Sequence, residues 1–235
     1  MRGTHVLLLG FLLEVSGFAQ SPRATAPYDI TGYWASVVTE DWRYRMFLPP
    51  KGDYLGIPLN AEGKKAGDSW DPARDQASGE QCRGYGAANL MRIPEHLHIT
   101  WADDQTLKLE TDAGTQTRLF HFGNAPGAGG DWQGLSQASW DMLPGGRGQR
   151  PIGSLKIVTT KLRPGYLRKN GAPYSAKAIL TEYYDRLTEP DGSAYLVITT
   201  TVDDPVYLTQ PYLTSTHFKK QADASGWNPT PCSAR

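Results

Sequence analysis

His96 and His98 alternate with apolar residues in the run His96-Leu97-His98-Ile99-Thr100-Trp101, and His121 follows in the run Gln116 to Phe122. On an extended strand, residues two apart share a face. A His-x-His pair joined by a histidine from a neighbouring strand is an arrangement by which β-barrels hold zinc, copper or iron. His96, His98 and His121 are therefore the candidate metal set, for a divalent ion. The same alternation supports a plainer reading. Leu97, Ile99 and Trp101 form the apolar face of this strand. In a packed barrel that face turns inward and leaves the histidines outside. One observable separates the two readings: the direction in which the histidine face points.

The stretch Ala178 to Leu187 carries the second group of reactive side chains. Glu182, Tyr184 and Arg186 fall on one face, and Thr181, Tyr183 and Asp185 on the other. A glutamate held between aromatic rings inside a barrel has a raised pKa and serves as general acid or base, with a tyrosine to orient or protonate a substrate. Glu182, Tyr184 and His121 are thus the candidate catalytic residues. The alternative is a Glu182–Arg186 ion pair on the barrel wall. Asp203-Asp204-Pro205 and Asp103-Asp104 read as turns or strand-end caps, because adjacent strand residues point apart and do not flank one scissile bond. The sequence has no Gly-x-Ser-x-Gly elbow and no His-Glu-x-x-His, and Gly123 to Gly130 lacks the Lys-Ser/Thr of a phosphate cradle.

The chain holds 12 Tyr and 7 Trp among 235 residues, a content that suits strands and also suits sites that grip sugars or ring-shaped ligands. Trp34, Trp42, Tyr44, Trp101, Trp132 and Trp140 are the candidate ligand-binding aromatics, with Glu182 and Tyr184 beside them. Arg43 and Arg45, interleaved with Trp42 and Tyr44, read either as anchors for an acidic or aromatic ligand or as one face of an amphipathic strand. Lys+Arg and Asp+Glu are equal at 24 each. That balance lacks the electrostatic footprint of a nucleic-acid binder and gives no push toward an anionic membrane.

The elements that must position these residues are mostly strands. With 25 Gly and 17 Pro the chain favours many turns over long helices. Strands are expected at Asp29 to Val38, His96 to Trp101, Thr106 to Glu110 and Gln116 to Phe122, the last three as antiparallel neighbours. Others follow at Gln133 to Trp140, Leu155 to Leu162, Ala178 to Leu187, Ala194 to Val202 and Tyr212 to Lys219. Asp41 to Leu48 is a further aromatic, basic stretch. Asn60 to Tyr85 reads as one or two short surface helices with loops. About eight to ten strands joined by short loops favour closure, which removes the sheet edges. The expected fold is all-β and mostly antiparallel: a calycin-like closed or nearly closed barrel with short helical insertions.

Residues 1–19 carry the three parts of a secretory signal: Arg2, the apolar run Val6 to Leu13, and the small residues Gly17 and Ala19. The run is too short to span a bilayer, and no second run of membrane length appears. The domain plan is therefore a signal peptide at 1–19, a flexible leader at 20–28 and one barrel-like domain at 29–235, periplasmic or secreted. Cys82 and Cys232 are the only cysteines. An even count in an exported chain points to a disulfide, with a pair of free thiols as the alternative.

Two resemblances add to this reading. Gly32-Tyr33-Trp34 in an opening strand ahead of a meander resembles the start of calycin-type barrels such as lipocalins. The run from Trp132-Gln133-Gly134 through Trp140, Leu155 to Thr160, Gly171 to Ser175, Leu180 to Arg186 and Thr201 to Tyr207 resembles a group of exported bacterial β-rich proteins. This chain carries Tyr174 where many members carry His, and Tyr183-Tyr184 in place of Arg-Phe. The resemblance implies export and a single β-rich domain, and it implies no activity. The leading expectation is an exported barrel that binds a small molecule that is aromatic, sugar-like or otherwise hydrophobic. The alternatives are a lyase, isomerase or hydrolase in the same cavity, with a metal where one is bound, and a structural or partner-binding envelope protein.

Overall fold

The computed structural model describes residues 20–127, 129–143 and 152–235; the expected signal peptide lies outside them. Nine strands close into a barrel in which sequence neighbours are spatial neighbours. They are β1 (Gly32–Val37), β2 (His96–Asp103), β3 (Thr106–Thr111), β4 (Thr117–Phe122), β5 (Leu135–Leu143), β6 (Ile152–Thr160), β9 (Ile179–Thr188), β10 (Ala194–Asp203) and β11 (Tyr212–Lys220). A short hairpin, β7 (Gly165–Arg168) with β8 (Ala172–Tyr174), is inserted between β6 and β9. The ring closes where β1 pairs with both β2 and β11.

An up-and-down barrel with strictly alternating strands needs an even number of them. With nine, one neighbouring pair must run parallel, and that pair is β4 with β5. The stretch between Phe122 and Leu135, which contains the Gly-rich run, carries the chain from one end of the barrel to the other, as a parallel connection requires. The remaining barrel neighbours are antiparallel. The hairpin of β9 and β10 forms for a local reason. Gly192 at φ 85° supplies the left-handed residue of its turn, and Asp191 accepts the Ser193 N–H at 2.8 Å.

Alternation sets the core. On β10, Ala194, Leu196, Ile198, Thr200 and Val202 turn inward and the residues between them turn outward. The inward rows of the other strands meet them around Trp34, Leu97, Ile99, Leu109, Phe120, Leu155 and Phe218. All of these seven side chains have no accessible surface. A void large enough for water would leave accessible surface on its lining, so the interior is filled by side chains rather than hollow.

The two ends of the barrel are closed differently. At the leader end, residues 20–31 run across the mouth, including the stretch expected as a flexible leader. The Trp140 indole N–H donates to the Pro22 carbonyl at 3.0 Å, and Arg186 donates to the Asp29 carbonyl at 2.6 Å. Tyr28 accepts from the Leu155 N–H at 2.9 Å and donates to the Tyr184 carbonyl at 2.5 Å, bridging β6 and β9 at the last pair of their ladder. At the insertion end lie four short helices, α1 (Trp42–Met46), α2 (Ala61–Asp68), α3 (Pro72–Ala77) and α4 (Ala87–Leu90), a 3-10 turn over Gln81–Tyr85 and the β7–β8 hairpin. They build a second core around Leu59, Leu167, Tyr174, Leu180 and Tyr212. Cys82 and Cys232 are bridged there, with sulfurs 2.00 Å apart.

The stretch Asp41 to Leu48 departs from the amphipathic-strand reading. Asp41 adopts φ 49°, and its carbonyl accepts the Tyr44 and Arg45 N–H groups, so the chain turns into α1. Arg45 then folds inward onto Glu40 and the Arg92 carbonyl. Tertiary anchoring of one arginine outweighs the local pattern, and Trp42 and Tyr44 stand outside the barrel.

Candidate functional site

The candidate residues fall into three environments. The first is the barrel interior. Glu182 and Tyr184 share a face, as their spacing predicts; that face turns inward, and neither residue has accessible surface. The partner of Glu182 is Arg118 on β4, not Arg186. Two parallel bonds join them, Nη1 to Oε1 at 2.9 Å and Nη2 to Oε2 at 2.5 Å. Tyr184 donates to Glu182 at 3.2 Å, and Arg118 also reaches Thr159 at 3.2 Å, which contacts Ser136 at 2.8 Å. Burial opposes the Arg118 charge, yet the adjacent Glu182 carboxylate raises its pKa above the usual guanidinium range. Burial first, then Glu182, also raises Tyr184 well above the phenol range. No water-sized space touches either residue, so the group is a bidentate internal ion pair, with only the Arg118 Nε left without a partner.

The second environment is the outer barrel wall. Leu97 and Ile99 point in and are fully buried, so His96 and His98 point out. His96 donates from Nδ1 to Asp112 at 2.7 Å. His98 stacks on Tyr33 with ring centroids 4.2 Å apart. His121 contacts Thr106 at 3.4 Å. In the ladder His98 faces Glu110 and His121 faces Thr106, four positions apart along β3, or about 13 Å at the usual rise. The structure therefore does not gather the three histidines into one ligand set. Among the described residues no group of three or more His, Cys, Asp or Glu side chains is placed to hold a metal ion.

The third environment is a cleft of about 280 Å³ at the insertion end, between α1 and the β7–β8 hairpin. Sequence reasoning flagged only Tyr44 and Arg45 of its lining. Its polar side is rich in cations: Arg45, Arg92, Arg168, Lys169 and Arg235 line it, and no Asp or Glu does. Its other side is apolar, formed by Met46, Phe47, Leu48 and Pro49. Met46, Phe47 and Leu48 are exposed, as is Trp42 beside them.

The cations are held individually. Arg92 is buried; one of its nitrogens meets Asp41 at 3.1 Å, and Nη1 has no partner. Arg168 is buried too. It donates to the carbonyls of Asp53 at 3.2 Å and Leu55 at 3.0 Å, and its guanidinium lies 4.2 Å from the Tyr44 ring centroid. Its Nε has no partner, and no carboxylate pairs with it among the described residues. Burial, and then the neighbouring Arg92, pull the Arg168 pKa below the usual guanidinium range while Tyr212 opposes them. Lys169 donates to the Arg235 main-chain oxygen at 2.7 Å and to the Tyr85 hydroxyl at 3.0 Å. Arg92 and Arg168 line one wall of the open cleft, each with one unfilled donor, and those two atoms are themselves covered by protein.

The other flagged aromatics are dispersed. Trp34 is in the core and donates to the Ile30 carbonyl at 2.8 Å. Trp101 and Trp140 stand at the leader end around Phe122. Trp132 lies in the β4–β5 connection, with Arg163 stacked 4.4 Å from its ring centroid. Arg92, Arg168 and Lys169 escaped notice because they come from loops and a hairpin end, and no sequence period links them to α1. No protein-family model, no curated protein and no solved structure matches this chain.

Proposed function

We propose that this protein is an exported binding protein for a small organic anion with an apolar body, held in the cleft at the insertion end. The observation that carries the reading is the pair of buried, incompletely paired guanidinium groups of Arg92 and Arg168 facing an apolar wall of Phe47 and Leu48. A carboxylate or phosphate head satisfies planar guanidinium donors, and an aromatic or aliphatic body fills the wall. The signal-like residues 1–19 and the disulfide support the placement of the protein in an oxidising compartment. Calorimetric titration with octanoate and benzoate, set against octanol and benzyl alcohol, tests the proposal. The anions are expected to bind and the alcohols to bind at least about tenfold less well, a difference of about 1.4 kcal/mol. Arg168→Gln is expected to erase that preference. Equal binding of anions and alcohols, or no binding, rejects it.

One observation favours a second reading, acid–base chemistry on the outer wall. Asp112 accepts the His96 and Ala113 backbone N–H groups, each at 2.8 Å, and orients the His96 ring beside a cleft of about 360 Å³ that Glu95 also lines. A carboxylate-oriented histidine is the form of a general base. Hydrolysis of a 4-nitrophenyl ester above the buffer rate, removed by His96→Asn, supports this reading; a rate unchanged by that substitution rejects it.

A further inference from the structure

The leader end holds a second groove, of about 490 Å³, that the reading above does not use. Arg23, Tyr28, Asp29, Thr100 and Trp101 line it. Trp101 sits on the inward row of β2, yet it is only half-buried where Leu97 and Ile99 on the same row are fully buried. A register shift between Trp101 and Asp103 turns the strand at this point, and bulges at barrel rims commonly re-aim a side chain. Phe122 stacks on Trp101 at 5.7 Å between centroids, with 29° between planes.

The rest of the groove is polar and rigid in specific ways. Both hydrogen-bonding capacities of the Tyr28 hydroxyl are taken by the barrel, so it offers only its ring, braced edge-on against Trp140 at 5.6 Å. Asp29 uses one oxygen to accept the Thr31 N–H at 2.8 Å and leaves the other toward solvent. Arg23 reaches Asp104 only across an exposed gap of 3.6 Å, a contact too weak to fix its guanidinium. An indole supported by a second ring, flanked by a carboxylate, a guanidinium and a hydroxyl, matches the two faces of a pyranose. Its C–H face lies on an aromatic plane, and its vicinal hydroxyls bind planar donors and acceptors in pairs. A groove along the rim also leaves room for a linked second ring.

We propose that this groove is a saccharide-binding site, with Trp101 as the platform and Asp29 and Arg23 as the hydroxyl-binding groups. Titration with glucose, N-acetylglucosamine, cellotetraose and chitotetraose, followed by calorimetry and by Trp fluorescence, tests it on the full chain. At least one tetrasaccharide is expected to bind about tenfold or more tighter than its monosaccharide. Trp101→Ala is expected to abolish that binding, and Asp29→Asn, which keeps the oxygen that accepts from Thr31, to weaken it several-fold with an unchanged circular dichroism spectrum and melting temperature. Arg168→Gln, at the opposite end, is expected to leave it intact. The proposal is overturned if none of the four sugars binds at about 10 mM. It is overturned equally if binding survives both Trp101→Ala and Asp29→Asn, or if indole binds this groove more tightly than every sugar.

Discussion

The two ends of this barrel are sealed by different means, and the contrast shows where the molecule can do chemistry. The leader end is closed by a strap of residues 20–31, which turns at 22–25 and is fixed by hydrogen bonds through Trp140, Arg186 and Tyr28. The insertion end is closed by separate short helices and a hairpin, gathered on their own core and stapled by a disulfide. A strap satisfies its few groups with the barrel and leaves a shallow aromatic rim. A packed insertion brings distant loops together and, in doing so, buries charges such as Arg92 and Arg168 that no partner fully satisfies. Between them the interior is closed by the Arg118–Glu182 pair and its apolar surroundings.

Four measurements break or sharpen this contrast. The largest effect belongs to the staple. Cys82→Ser with Cys232→Ser opens a loop of 150 residues and is expected to cost about 5 kcal/mol in the chain-entropy model, read by denaturant unfolding. If the loss is below about 1 kcal/mol, the insertion core holds this end without the bond.

Next in size is the interior. Arg118→Met leaves Glu182 as an unpaired buried charge and is expected to cost about 3–5 kcal/mol, while Arg118→Met with Glu182→Leu recovers most of it. Equal losses in the single and double variants show that packing, not charge, dominates there.

The third concerns Glu95, which is buried at the insertion end of the barrel, its oxygens without hydrogen-bond partners. Burial, and then the nearby Asp112, raise its pKa well above 4.5, against the pull of Arg45. Below that value the folded and unfolded chains both hold the proton. As pH rises past it, the unfolded chain releases the proton and the folded chain keeps it, so stability falls with rising pH. The slope is about 1.4 kcal/mol per pH unit until the folded residue also ionises. Melting curves from pH 4 to 8, at about one-unit steps, are expected to show this slope in the native protein and a flatter profile in Glu95→Gln.

The smallest effect is at the strap. Tyr28 has its pKa pushed up to about 12 by burial, with the Leu155 N–H opposing. Tyr28→Phe removes both of its hydrogen bonds and is expected to cost about 1–2 kcal/mol and to leave anion binding at the other end unchanged. A loss of anion binding in this variant shows that the two ends are coupled through the barrel.

Much of this was legible in the sequence, at particular residues. Alternation puts Leu97 with Ile99 on one face and His96 with His98 on the other, and closure of the barrel turns the first face inward. It also puts Glu182 and Tyr184 on one face. The turn at Glu189 to Gly192 follows from residue types alone. The partner of Glu182 was not legible. Arg118 lies 64 positions away, and the nearer Arg186 shares its face by period, so only strand order chooses between them. Trp42 and Tyr44 fit a strand as well as a helix over so short a stretch, and the anchoring of Arg45 decides.

Period-2 patterning and turn residues thus determine that this chain makes an antiparallel meander, because each acts within a few residues of backbone. Two cysteines in a chain with a signal-like start point to the disulfide, because pairing needs only an even count and an oxidising setting. Tertiary structure alone decided that nine strands force one parallel pair and that the barrel is filled. It also decided that cationic side chains from α1, the loop after α4 and the end of β7 meet in one cleft. Those outcomes depend on which distant segments become neighbours, and that choice is made by closure and packing of the whole chain.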